Sequence, residues 1–218
     1  WLYSYIATEY TNYQITRDQY ILLIYDRESP LSTQVAKAYQ EAIQTYPHHA
    51  INFHEVQEEF ILNKFQNLEK RSLIILVQSG SFRMTKYRLR ADLFQHGHMV
   101  IEHARLSFTK DNQIDNYINS LKYDTPYYLK TCNKIAGLLK ENKTITIKSG
   151  NNLTLTINSE YEESIKNTGD FSENPNASAG FPIGEIFTEA KELDKINGDV
   201  LVFATPTLEH HTFFTEPF

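Results

Sequence analysis

The densest group of cationic side chains lies between residues 83 and 105 of an otherwise acidic chain. It comprises Arg83, Lys86, Arg88, Arg90, His96, His98, His103 and Arg105. Guanidinium groups form paired hydrogen bonds that match the geometry of a carboxylate. We therefore predict a peptide-binding site that consists of Arg83, Arg88, Arg90 and Arg105. The alternative is a solvated helix face whose cations pair with Asp92 or Glu102.

A short polar loop begins this segment. The sequence Ser79-Gly80-Ser81-Phe82-Arg83 follows an apolar run and precedes a helical pattern. In an open α/β sheet, ligands bind at such loops, and the amides of the following helix can hold an anion. The loop contains one glycine, however, and lacks the fingerprint of a dinucleotide or P-loop site. An ordinary strand-to-helix turn is therefore the favoured alternative.

The histidines are weaker candidates for chemistry. His96-Gly97-His98 and His210-His211 look like pairs of metal ligands, but no His-Glu-x-x-His spacing occurs. Adjacent histidines on an extended segment point to opposite faces, so His210 and His211 cannot both enter one site without a bulge. Surface histidines are the favoured interpretation.

Cys132 is the single cysteine of the chain. It lies at helical spacing from Ile135 and Ala136, which is typical of a buried, inert thiol. One cysteine excludes an intramolecular disulfide and fits a reducing compartment. The sequence therefore predicts a cytoplasmic location.

The elements that must position these side chains alternate in the first hundred residues. Strands are predicted at Tyr20 to Tyr25, Ile51 to Val56, Leu73 to Val77 and His98 to Glu102. A helix capped by Ser32 or Thr33 and closed by Pro47 joins the first two strands. Strands that are apolar on both faces need helices on both sides of the sheet. We therefore predict an α/β fold whose first domain, residues 1–108, is a Rossmann-like parallel sheet.

The second half of the chain has a different pattern. Residues 109–218 are predicted to form a helical pair, a β-hairpin and the front part of a second, incomplete α+β domain. The predicted elements are helices at 111–121 and 126–139, hairpin strands at 144–148 and 153–157, a loop at 160–180, and strands at 183–188 and 200–204. The turn Ser149-Gly150-Asn151-Asn152 reverses the hairpin.

Composition excludes several classes of function. The 218 residues are 41% hydrophobic and carry a formal net charge of −6. Binding to a nucleic-acid backbone needs clustered cations, so this balance argues against a nucleic-acid partner. The longest apolar runs are far shorter than the roughly 20 residues of a helical membrane span.

An unpaired edge at Val200 to Phe203 predicts a homodimer.

The most specific string is Gly180-Phe181-Pro182-Ile183-Gly184-Glu185-Ile186-Phe187-Thr188-Glu189-Ala190, followed by Ile196-Asn197-Gly198-Asp199. Together with the hairpin Gly150-Asn151-Asn152-Leu153-Thr154-Leu155, it resembles the aminopeptidase T-like metallo-aminopeptidases of thermophiles. The resemblance covers roughly residue 145 to the end. Two departures from the family pattern are Asn152 in place of an aspartate and Glu189-Ala190 in place of Ala-Pro.

The resemblance implies that Glu185 stands at the first metal-binding glutamate of the family. The family site holds two divalent ions, such as zinc or cobalt, and also needs a second glutamate, two histidines, a tyrosine and an aspartate. These ligands are expected farther along the chain than Phe218, and without them no cofactor is expected. The sequence thus predicts a truncated aminopeptidase-like protein that binds a peptide or protein partner without hydrolysing it. The alternative is the front half of a metal-dependent aminopeptidase that releases N-terminal residues from peptides.

Overall fold

The computed structural model describes residues 19–84, 89, 93, 96–121, 125–150, 152–170, 178–201, 204–206 and 211–213. The chain forms two units. The first is built from Trp1–Lys130 and Asn167–Glu185, and the second from Thr131–Lys166 and Ile186–Phe218. The domain boundary predicted after residue 108 stays a prediction. The two units described here change over at other positions.

Five parallel strands form the sheet of the first unit. They are β1 (Ile21–Tyr25), β2 (His48–Asn52), β3 (Leu73–Val77), β4 (Met99–His103) and β8 (Ser178–Gly180), in the order β2-β1-β3-β4-β8. In the register of the central strands, Ile21 lies opposite His48 on one side and Leu73 on the other. The predicted Rossmann-like parallel sheet is therefore confirmed.

Separate hydrophobic cores cover the two faces of this sheet. Ile21, Leu23 and Tyr25 of β1 belong to one core, whereas Leu22 and Ile24 belong to the other. Successive side chains of a strand point to opposite faces, which explains this division. Every residue of β1 and β3 is buried. Such strands appear in the sequence as continuous apolar runs rather than as alternating patterns.

Helices cover both cores. Four helices are described: α1 (Pro30–Ala42), α2 (Glu58–Gln66), α3 (Ile114–Ser120) and α4 (Thr125–Glu141). Val35 and Tyr39 of α1 pack in the core that contains Ile21. Ile61 and Phe65 of α2 pack in the core on the opposite face. Leu89 and Leu93, the two described helical residues of the segment after β3, lie in this second core.

Helix α1 begins earlier than the sequence predicts. Ser29 is its N-cap, rather than Ser32 or Thr33. The Ser29 hydroxyl accepts a hydrogen bond from Ser32 N at 3.1 Å, and Ser32 Oγ accepts one from Ser29 N at 3.2 Å. Pro30 follows at the first helical position, where its missing N–H costs nothing. The reciprocal pair forms a capping box with serine in place of the usual glutamate, so the sequence does not show the standard pattern of this motif.

Strands β2 and β8 also differ from the predicted positions. β2 ends at Asn52, and Phe53–Glu55 form a 3-10 turn where the sequence predicts strand. β8 lies inside the predicted loop at 160–180 and pairs with β4, with Ala179 opposite Ile101. The small residues Ser178-Ala179-Gly180 form no hydrophobic run, so only the pairing with β4 reveals this strand.

The second unit contains a three-stranded antiparallel sheet. Its strands are β5 (Thr144–Ser149), β6 (Leu153–Asn158) and β10 (Ile196–Gly198), in the order β10-β6-β5. Two shorter pairs are also present: β7 (Ile165–Asn167) with β9 (Glu185–Phe187), and β11 (Ala204–Pro206) with β12 (His211–Phe213). The predicted hairpin is confirmed, and its turn uses the positive φ angles of Gly150 and Asn152.

The structure also bears on Cys132 and on membrane-spanning helices. Cys132 is buried, as the helical spacing predicts. Within the described ranges, no helix combines the length and the apolar character that a membrane span requires.

Candidate functional site at the carboxyl edge of the parallel sheet

The carboxyl ends of β1, β3 and β4 lie at one edge of the sheet because these strands are parallel. The chain runs from β1 to β2 on one side and then to β3 on the other, so the strand order reverses between β1 and β3. Such a reversal opens a crevice beyond the carboxyl ends of the strands, and ligands of open α/β sheets bind there. This position defines the candidate site.

A buried carboxylate joins the two sides of the crevice. Asp26 directly follows β1 and is 2% exposed. Its Oδ2 accepts a hydrogen bond from Ser79 N at 2.8 Å, and its Oδ1 accepts one from the Ser79 hydroxyl. Oδ1 also accepts a bond from Glu28 N at 3.3 Å. These bonds satisfy the buried charge and fix the loop after β3 against the loop after β1.

Serine hydroxyls continue this network to the start of α1. Ser32 Oγ lies 2.7 Å from Ser79 Oγ, and Ser29 Oγ lies 3.2 Å from Ser79 Oγ in the same cluster. Ser29, Ser32 and Ser79 are all buried. Polar groups of the protein therefore satisfy one another across the crevice, and the cluster is a rigid support for the loops above it.

Two amides of the loop after β3 are already bonded within the protein. The Ser79 amide donates to Asp26, and the Phe82 amide donates to Gln78 Oε1 at 2.6 Å. Gln78 Nε2 in turn donates to Glu102 Oε1 at 2.9 Å. These contacts favour the ordinary strand-to-helix turn over the anion-binding loop.

Two of the four predicted arginines belong to neighbouring loops at this edge. The loop after β4 is joined to the loop after β3 by bonds from Arg105 N to Gly80 O at 2.8 Å and from Leu106 N to Gln78 O at 3.0 Å. Ser107 adds bonds to Ser79 O from both its amide and its hydroxyl. Arg105 thus lies beside the loop that ends in Arg83. Arg88 and Arg90 lie outside the described residues.

The backbone at Arg105 has a left-handed conformation, with φ at 59°. This conformation is unfavourable for most residues that have a Cβ atom, and it persists where the surroundings fix the backbone. The paired loops provide that restraint. Arg83 is exposed and Arg105 is half-buried.

His103 is not a cation of the predicted cluster. It is the last residue of β4 and is 1% exposed. Its Nε2 lies 2.8 Å from the Tyr39 hydroxyl, and its Nδ1 lies 2.8 Å from the Tyr117 hydroxyl. Burial lowers the pKa of His103 to about 3, so the imidazole is neutral at neutral pH. Burial also raises the pKa of Tyr117 above its ordinary value.

Aromatic side chains surround the buried imidazole of His103. Phe181 stacks on the imidazole with a ring-centroid distance of 4.8 Å. Each imidazole nitrogen has a tyrosine partner, and a neutral imidazole donates through one nitrogen and accepts through the other. One tyrosine therefore accepts a bond from His103 while the other donates one to it.

The sequence analysis counted His103 only as a cation and did not single out Asp26 or the two tyrosines. A usable signal exists for two of them. Asp26 is a polar residue placed directly after an apolar run, and His103 shares the strand face of Met99 and Ile101. Nothing in the sequence predicts the pairing of His103 with Tyr39 and Tyr117, because these residues are 64 and 14 positions away along the chain.

Glu185, the predicted metal ligand, is the exposed first residue of β9. It follows Gly184, whose φ is 105°. A Cβ atom at Gly184 would lie 2.5 Å from Cε1 of Tyr128, so the ring requires glycine at this position. Among the described residues, no three His, Cys, Asp or Glu side chains lie close enough together to hold a metal ion. The described residues therefore do not form a metal centre around Glu185.

The hairpin of the aminopeptidase resemblance pairs with the downstream segment Ile196-Asn197-Gly198 in the second unit. β10, which contains Asn197 and Gly198, pairs with β6 of the hairpin, so that Gly198 lies opposite Leu155. A Cβ atom at Gly198 would lie 2.0 Å from Thr154 O. Comparisons with protein-family models, with curated proteins and with solved structures find no match to this chain.

Proposed function

We propose that this protein binds a peptide or protein partner through a carboxylate at the carboxyl edge of its parallel sheet, without hydrolysing it. The observation that carries this proposal is the hydrogen-bonded pairing of the loops after β3 and β4. The pairing brings Arg83 and Arg105 to the edge where open α/β sheets bind ligands. Arg88 and Arg90 stay predicted members of the same site.

The supporting geometry is that of a rigid platform. Asp26 and Ser79 fix the loop that precedes Arg83, and Ser107 fixes the loop that begins with Arg105. Guanidinium groups on restrained loops lose little freedom when they bind a carboxylate. We therefore expect recognition of an acidic group rather than of an extended apolar segment.

Fluorescence anisotropy with a labelled peptide tests this proposal. The probe is an acidic peptide with a free C-terminal carboxylate, and its C-terminally amidated form measures the contribution of that group. We expect Arg83→Ala and Arg105→Asn each to weaken binding about tenfold, because each removes a charge-assisted hydrogen bond. Asparagine is chosen at position 105 because it tolerates a left-handed backbone.

Arg71→Asn is the matched control. Arg71 also has a left-handed backbone, with φ at 68°, but it precedes β3 and lies at the opposite edge of the sheet. Its substitution should leave peptide affinity unchanged. Binding that withstands both the Arg83 and the Arg105 substitutions, or that does not weaken with added salt, would contradict the proposal.

A second candidate is the front half of a dinuclear metal-dependent aminopeptidase. The observation that favours it is the pairing of β10 with β6, because it joins the hairpin and the downstream Asn197-Gly198 segment of the resemblance in one sheet. In this candidate Glu185 is one ligand of a two-ion site, and zinc or cobalt would be the cofactor.

Metal content measured by elemental analysis on the purified chain separates the two candidates. The aminopeptidase candidate predicts that Glu185→Gln lowers bound divalent metal and abolishes release of N-terminal residues, with the fold unchanged. Glu189→Gln is the control, since Glu189 is also an exposed glutamate on the same segment. If the unaltered chain and both variants bind equal amounts of metal, Glu185 is not a ligand.

Two further proposals concern the state of the protein in the cell. We propose a cytoplasmic location, which the single buried thiol of Cys132 supports. Burial raises the pKa of this thiol, which disfavours the reactive thiolate. We also propose a homodimer; exposed apolar side chains of the second unit, including Leu193 and Phe187, support it. Sedimentation equilibrium tests the dimer.

A further inference from the structure

A cavity lies in the first unit at the amino edge of the parallel sheet, opposite the carboxyl edge. Its volume is about 410 Å³, which is within the range of small-molecule sites. Its lining includes Leu62, Phe65, Leu68, Leu93, Lys70 and His98. Lys70 lies three residues before β3, and His98 immediately precedes β4. This placement separates the cavity from the site of Arg83 and Arg105.

One wall of this cavity is apolar because it adjoins one of the two hydrophobic cores, whereas Gln66, Lys70, His96 and His98 form the polar part of the lining. Phe65 and Leu93 are buried members of the core that α2 covers, and Leu62 and Leu68 pack against it. Such a wall favours a ligand with a hydrocarbon or aromatic body.

His98 is the buried polar side chain of the cavity. It shares the strand face of Val100 and is 3% exposed. Its Nδ1 is buried and makes no hydrogen bond to the described residues. His103, at the other end of the same strand, has a partner on each ring nitrogen. The internal hydrogen bonding of the fold thus occupies both nitrogens of His103 but leaves Nδ1 of His98 without a partner among the described residues.

The charge of the cavity favours an anion. Lys70 is exposed where it lines the cavity, and none of the described lining residues is acidic. A cationic rim above an apolar wall is complementary to a molecule with a carboxylate at one end and an apolar chain at the other.

We propose that this cavity binds a small carboxylic acid with an apolar chain. The chain lies among Leu62, Phe65 and Leu93, and the carboxylate lies at Lys70. The imidazole of His98 donates or accepts a hydrogen bond at the polar end of the ligand. The proposal is independent of peptide binding at the carboxyl edge.

Isothermal titration calorimetry of the 218-residue chain with octanoate, below its micelle concentration, tests the proposal. We expect one octanoate to bind per chain. Leu62→Trp fills the cavity and should lower octanoate affinity about tenfold or more. Leu138→Trp is the matched control, because Leu138 is 50% exposed in the second unit and its substitution should leave octanoate affinity unchanged. Failure of octanoate to bind the unaltered chain overturns the proposal.

Lys70→Glu tests whether the carboxylate of the ligand lies at Lys70. Because Lys70 is exposed, this substitution does not disturb the core as Leu62→Trp could. It should weaken octanoate binding about tenfold and leave the binding of 1-octanol unchanged. His98→Phe keeps the size of the ring but removes both nitrogens, and it should weaken octanoate more than 1-octanol. Equal octanoate affinity in the unaltered chain and in Lys70→Glu overturns the proposal, as does an equal loss of both ligands.

Discussion

His103 and His98 lie five positions apart on the same segment, yet their surroundings give them different roles. Period two places His103 with Met99 and Ile101 in one core and His98 with Val100 on the other face. Tyrosines bond both nitrogens of His103, whereas Nδ1 of His98 has no partner among the described residues. The first histidine therefore acts as a structural link at the carboxyl edge, and the second faces a cavity at the amino edge.

The buried His103 should make the protein sensitive to acid. The unfolded chain has an ordinary histidine pKa near 6.5, whereas burial lowers the pKa of His103 to about 3 in the folded state. Below pH about 6.5 the unfolded state binds a proton that the folded state does not, so stability falls as the pH falls toward 3. Between pH 6.5 and pH 5 the contribution of this group is about 2 kcal/mol.

Urea unfolding of His103→Gln measures this contribution. Glutamine keeps a donor and an acceptor for the two tyrosines but does not titrate. The free energy of unfolding of the variant should therefore depend less on pH between 7 and 5 than that of the unaltered chain. His96→Gln, at an exposed histidine, should leave the pH dependence unchanged. Parallel curves for the unaltered chain and His103→Gln would contradict the assignment.

At the scale of elements, the fold depends on close contacts that only certain residues permit. Strand β10 approaches β6 closely at Gly198, where φ is 112°. Gly137, by contrast, lies within helix α4 and has no atom within 4 Å of an added Cβ position. The same residue type is therefore required at one position and replaceable at the other.

Gly198→Ala and Gly137→Ala should have opposite effects. The first places a Cβ against Thr154 O and imposes a left-handed backbone on alanine, and should destabilise the protein by about 2 kcal/mol or more. The second removes the entropic cost of glycine in a helix, and should stabilise it by about 0.5–1 kcal/mol. Differential scanning calorimetry measures both. A higher Tm for Gly198→Ala would mean that β10 and β6 do not pair as described.

At the scale of the whole molecule, the two units differ in how deeply the residues of their strands are buried. Every residue of β1 and β3 in the first unit is buried. In the second unit, no residue of β5 or β6 reaches full burial. A backbone amide exchanges its hydrogen slowly where the opening that frees it exposes much buried surface. It exchanges quickly where that opening exposes little buried surface.

Native-state hydrogen exchange should therefore rank the strands. Amides of Leu22 to Ile24 and Ile74 to Leu76 should exchange slowest, through global unfolding. Amides of Thr146 and Thr156 should exchange faster, through local opening of the β5–β6–β10 sheet. Mass spectrometry of peptic peptides measures both groups. Equal protection in the two sheets would mean that the chain unfolds as one cooperative unit.

The sequence by itself determined the central sheet, because β1 and β3 are continuous apolar runs and the intervening segments have helical periodicity. It also determined the hairpin, through alternation and a turn with glycine and asparagine. These features depend on neighbours in the chain, and their physical causes are local. The predicted end of β4 was wrong by one residue, and this residue is His103.

Tertiary structure alone decided the remaining features. Ser178-Ala179-Gly180 is a strand because β4 offers its hydrogen bonds, and no local preference of these residues predicts it. Asp26 and Ser79 meet because the strand order reverses between β1 and β3, although 53 positions separate them along the chain. Burial, and not residue type, decides the charge of His103. Local sequence preferences determine which segments become strands and helices. Contacts between distant segments, and the burial that they cause, determine the chemistry of the residues in them.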